Sequence, residues 1–97
     1  MNAIDRLLKK IEETLQAQFP TFKTLPAKYQ NSLTRAFLGD LILEQKISVT
    51  TSFHALERHP EKDIETLIEL LDFSSIPPKM LQFYKNKTQN PPSPEIS

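Results

Sequence analysis

Apolar residues open the chain at Ile4, Leu7, Leu8, Ile11 and Leu15, with Arg6, Lys9, Lys10, Glu12 and Glu13 between them. Steps of three and four put such residues on one stripe of a helix. The pattern predicts an amphipathic helix from about Ala3 to Gln18. Asn2 stands where a side-chain oxygen can cap it, and Asp5 lies in the first turn, where the helix dipole favours an acid. Phe19-Pro20 breaks the pattern, because a residue before proline avoids the α region, and PTFKTL reads as a connector. Pro26 suits the first turn of a second helix, where its missing N–H costs nothing. Tyr29, Leu33, Phe37 and Leu41 then recur every fourth residue, Leu38 and Ile42 widen the stripe, and Leu43 completes an apolar run. A helix apolar around most of its circumference is expected at the centre of the fold. Gly39 within it costs about 1 kcal/mol relative to alanine and marks a close helix crossing or a break, two readings the pattern leaves open.

After a turn at Lys46–Ser48, Val49, Phe53 and Leu56 form a stripe that predicts a short helix through Arg58. Ile47 is expected to plug the core and Ser48 to cap this helix, which His59-Pro60 ends. Pro60 opens a fourth helix to about Phe73, with Ile64, Leu67, Ile68 and Leu71 inward and Glu61 and Asp63 near its start. Ser75 is expected to cap a last helix beginning PPKMLQFYKNK. The segment TQNPPSPEIS is polar and proline-rich, hence expected to be disordered. The expected architecture is all-α, a small bundle of four to five short helices forming one domain over residues 1–87. A disordered Pro-rich C-terminal tail occupies 88–97.

Composition narrows the function classes. The 97-residue chain has no cysteine, which removes disulfides, thiolate zinc ligands and thiol nucleophiles together, and suits a reducing, cytoplasmic location. Charges interrupt the first apolar pattern, so neither a signal peptide nor a membrane span fits it. Lys plus Arg equals Asp plus Glu at 12 each, so no global positive field draws in nucleic acid. Residues 49–73 are acidic, however, with Arg58 and Lys62 against Glu57, Glu61, Asp63, Glu65, Glu69 and Asp72, while the flanking segments are mildly basic. A single glycine cannot write the multi-glycine loops that cradle phosphates.

The stretch KISVTTSFHALERHP invites a helix-turn-helix reading, with Thr50, Thr51, His54 and Arg58 facing DNA. Leu41, Ile47, Ser48 and Thr51 fit that register. Ile42 does not, since it stands where a small residue lets the two helices touch; Gln45 and Ser52 occupy sites that should be buried, and Lys46 replaces the turn glycine. The acidic helix that follows also repels phosphate. A DNA-binding or nucleoid-associated regulator is therefore the alternative reading, and nucleic acid is not the expected partner. LGDLILEQKIS…ALERH resembles the first motif of the N-terminal domain of bacterial type II secretion and pilus ATPases. Phe37 stands where nucleotide-binding forms of that domain carry arginine, and no second copy of the motif follows. IPPKMLQFYK, residues 76–85, resembles the closing helix of the Hha/YmoA nucleoid modulators, small helical proteins that act by binding another protein. Both likenesses are confined to short segments, and no family is assigned from them.

No catalytic, cofactor or metal site is expected. His54 and His59 lie about 140° apart around a helix, too far to share a metal-binding face. Serines and threonines cluster near turns, where capping accounts for them. In the last helix Met80, Leu81, Phe83 and Tyr84 cannot all face inward, because Phe83 sits about 100° from Tyr84 and 60° from Met80. The candidate protein-binding residues are Leu15, Phe19, Met80, Phe83 and Tyr84. The function expected is that of a non-catalytic regulator, adaptor or chaperone acting through a helical hydrophobic surface. Its partner would be another protein or a second copy of the chain.

Overall fold

Capping and apolar spacing place the first helix, α1 (Ala3–Gln18), where the sequence predicts it. Asn2 Oδ1 accepts the N–H of Asp5 at 3.0 Å. In the computed structural model, which describes residues 2–49 and 53–89, α1 is followed by a 3-10 helix (Pro20–Thr24), then α2 (Ala27–Glu44), α3 (Phe53–Glu57), α4 (Glu61–Leu70) and α5 (Pro78–Gln89). The described residues contain no strand. A second cap on α1 comes from far along the chain: Glu61 Oε1 accepts the Ala3 N–H at 2.7 Å. The start of α4 is thereby fastened to the start of α1. Ala3, Leu7, Ile11 and Leu15 are buried, and α1 packs on both α2 and α4. Arg6 pairs with Glu65 at 2.8 Å across the α1–α4 seam, an exposed contact worth at most roughly 1 kcal/mol.

The connector after α1 is part of the core. Phe19, Phe22 and Leu25 are all buried, and their spacing of three matches the three residues per turn of a 3-10 helix. Phe22 N–H donates to the Phe19 carbonyl and Leu25 N–H to that of Phe22. Thr21 Oγ1 donates to the Thr88 carbonyl at 3.4 Å, tying this turn to α5.

α2 runs unbroken through Gly39, burying Leu33, Phe37, Leu38, Leu41 and Ile42. Leu43 does not share their fate; it is 63% exposed. α1, rather than α2, is the helix that packs most extensively on its neighbours. α2 ends in a Schellman motif, with Lys46 N–H bonded to the Leu43 carbonyl and Ile47 N–H to that of Ile42. Ile47 accordingly folds back against the core. Lys46 takes the left-handed position of this motif, at φ 54°, where its Cβ is strained and glycine is free. Lys46→Gly is expected to raise stability by about 0.5–1 kcal/mol, read as a higher urea midpoint at unchanged slope. A lower midpoint would show that the lysine carries no such strain.

α4 stops earlier than the expected Phe73. Leu71 is extended, at φ −71° and ψ 131°, yet still buried. Two competing sets of hydrogen bonds end the helix. Gln45 clamps the backbone of Asp72, donating Nε2 to its carbonyl at 2.7 Å and accepting its N–H at 2.9 Å. The Asp72 carboxylate in turn accepts the Ser75 and Ser74 hydroxyls and the Ser74 N–H, bonds that hold its pKa at about 2. Ser75 therefore closes this turn and does not cap α5, which starts at Pro78. α5 continues to Gln89, past the boundary expected at residue 87, and Thr88 is buried within it. The remaining tail, 90–97, lies outside the described residues, as do residues 50–52, which lead from Ser48, the expected cap, to α3.

Candidate protein-binding groove

α5 turns one face to the core, and that face sorts the candidate residues. Met80, Tyr84 and Thr88, spaced by four, are buried. Tyr84 lies edge-on to Phe37, with ring centroids 5.0 Å apart, and its hydroxyl donates to the Asp40 carboxylate. Burial first, and then the hydrogen bond to Asp40 and its charge, push the Tyr84 pKa well above that of a free phenol. Leu15 and Phe19 are buried as well. Leu15, Met80 and Tyr84 thus lie in the core. Phe83 alone of the five is exposed, at 44%, with its ring 5.1 Å from that of Tyr84 and Lys87 Nζ 5.2 Å from its centroid.

A different face of α5 borders a groove of about 500 Å³ against the end of α1 and the 3-10 helix. Its apolar walls are Phe19, Pro20, Pro78 and Leu81, and Gln18, Gln82, Lys85 and Gln89 supply polar groups. Phe19, the one candidate residue that reaches this groove, seals its floor while remaining almost wholly covered. Pro20 ends α1 and sets the direction of the 3-10 helix, so one wall is fixed by the chain break itself. The opposite wall is held by the buried side of α5 and by the Thr21–Thr88 bond. Both walls are therefore anchored before anything binds.

The sequence contained a signal for this face. Pro78, Leu81, Lys85 and Gln89 recur at steps of three and four, with Gln82 beside them, offset from Met80, Tyr84 and Thr88. Side-chain size alone points instead to Phe83 and Tyr84.

Of the residues of the DNA reading, the structure describes His54 and Arg58. Thr50 and Thr51 lie outside the described residues. His54 and Arg58 are exposed, and His54 Nδ1 sits 3.9 Å from Glu57 Oε2. His59 Nδ1 is 3.9 Å from Asp63 Oδ2, while Glu61 is engaged by the N-terminus of α1. Among the described residues no three His, Asp or Glu side chains converge as metal ligands, and no buried side-chain nitrogen or oxygen lacks a hydrogen-bond partner. No described helix is long and apolar enough to cross a membrane. Compared with protein-family models, curated proteins and solved structures, the chain matches none of them.

Proposed function

We propose that this protein is a non-catalytic binding module, a regulator, adaptor or chaperone, whose groove between the end of α1 and α5 receives a short apolar segment of another protein. One observation carries this reading: four apolar side chains wall a preformed hollow of about 500 Å³ whose rim is mostly amide. Burying such walls against apolar side chains is favourable at roughly 25 cal/mol per Å². The glutamines at the rim can meet the amide groups of an incoming backbone, so the peptide need not strand its polar atoms. A volume of this size falls within the range of about 300–1,000 Å³ usual for binding pockets. A catalytic reading has less support, since among the described residues each buried side-chain polar atom is already committed to a partner.

Panning a displayed random-peptide library against the full chain tests the proposal. Wild type is expected to enrich peptides with several large apolar residues, and Leu81→Gln is expected to weaken the selected peptides about tenfold or more. The half-buried position of Leu81 allows that polar residue of similar size, and a circular-dichroism melt checks that the fold is kept. Enrichment no greater than on a bare surface, or equal capture by the folded variant, would refute the groove as the contact surface.

A further inference from the structure

Resting on the groove as the contact surface, we infer that its occupant is an acidic segment of a partner protein, one that inserts apolar side chains and carries Asp or Glu between them. The warrant is the way charge is divided along the chain. Residues 14–39 and 73–89 contain no Asp or Glu, yet they hold Lys23, Lys28, Arg35, Lys79, Lys85 and Lys87, half of the chain's 12 cations. These two acid-free stretches supply every residue lining the groove. The fold joins the two stretches where the groove lies: Thr21 Oγ1 bonds the Thr88 carbonyl, and Tyr29 Oη bonds that of Lys87 at 3.0 Å.

Two acids beside α5 are already engaged. Asp40 accepts the Tyr84 hydroxyl, and Glu44 pairs with Lys79 at 3.5 Å. Glu13, on α1, borders a separate hollow with Lys10 and Phe73. Lys85 lines the groove itself, where its ammonium can meet a carboxylate carried by the occupant.

The same features favour an acidic peptide over two other anionic occupants. Nucleic acid is held by rows of cations along a phosphate track, whereas this groove has one lysine among apolar walls. A second copy would offer the acidic face of α4, but Ile64 and Leu67 are buried there and Leu70 is its one exposed large apolar side chain. A partner segment with several apolar residues fits the hollow better than that single leucine.

The test uses the full chain and three labelled peptides that share one set of Leu and Phe positions and differ only in carrying Glu, Gln or Lys between them. At low salt the Glu peptide is expected to bind about tenfold tighter than the Gln peptide, and the Lys peptide weakest. The advantage of Glu should shrink as added salt shortens the Debye length below about 10 Å. Lys85→Glu should reverse the order, so that the Lys peptide binds tighter than the Glu peptide. Equal binding of the Glu and Gln peptides would overturn the acidic preference and leave the groove standing. Binding of none of the three would remove the groove reading with it. An oligonucleotide that binds as tightly as the Glu peptide, or self-association abolished by Lys85→Glu, would assign the site to nucleic acid or to a second copy and overturn the inference.

Discussion

Phe37→Ala is expected to cost about 3–5 kcal/mol, the range for deleting a large ring from a packed interior. Phe37 is fully buried on α2, and its ring packs edge-to-face with the Tyr84 ring, so truncation removes both a core side chain and the seat of α5. A chain of 97 residues has a total stability of roughly 5–15 kcal/mol, so this one change consumes a large part of it. The melting temperature should fall by roughly 20 °C, taking about 5 °C per kcal/mol for a domain of this size. Phe83→Ala provides the contrast. Phe83 is 44% exposed, so its loss should cost less than about 1 kcal/mol even though it touches Tyr84 and Lys87. Urea unfolding of both variants separates the two positions. A loss of less than about 1 kcal/mol for Phe37→Ala, or equal losses for the pair, would contradict the packing described for α2 and α5.

This division between two phenylalanines shows how far the sequence could be read. α1 was legible to the residue because its cap, its acid and its stripe are all local signals. The body of α2 was legible for the same reason, although whether Gly39 interrupts it depends on neighbours that the sequence does not display. The 3-10 helix escaped notice because Phe19, Phe22 and Leu25 repeat every three residues, a period that fits neither an α-helical stripe nor a strand. The end of α4 was misplaced because Leu71 and Phe73 extend an apolar pattern that the backbone no longer follows. Gln45, 27 positions before Asp72, reaches across to clamp the chain where the helix stops. That contact also explains a polar residue which a helix-turn-helix register would have required to be buried. For the site, periodicity alone separates the two stripes of α5 but does not say which one meets the core. Tertiary packing decides it, by giving Tyr84 both an aromatic neighbour in Phe37 and a hydrogen-bond acceptor in Asp40.

The buried Tyr84 hydroxyl also predicts unfolding at alkaline pH. A tyrosine in the unfolded chain loses its proton near pH 10, while Tyr84 in the fold retains its own, held by burial and by its bond to Asp40. Below pH 10 both states are protonated and the stabilisation is fully present. Above it the unfolded state binds fewer protons than the native one, so stability falls as pH rises, by up to about 1.4 kcal/mol per pH unit. Wild type should therefore lose roughly 2–3 kcal/mol more than Tyr84→Phe between about pH 10 and pH 12, because the variant has no phenol to ionise at that position. At neutral pH Tyr84→Phe should itself cost about 1–2 kcal/mol through the hydrogen bond lost by Asp40. Comparing slopes rather than absolute stabilities keeps the two effects apart. Tyrosinate absorbance offers an independent view, since the chain has two tyrosines and Tyr29 is only half-buried. The Tyr29 signal should rise before the helical signal is lost, and the Tyr84 signal should rise together with that loss. Parallel pH slopes for wild type and Tyr84→Phe would mean that this hydroxyl is not held as described. Because Tyr84 seats α5 and α5 forms one wall of the groove, peptide binding should disappear over the same alkaline range in which Tyr84 ionises.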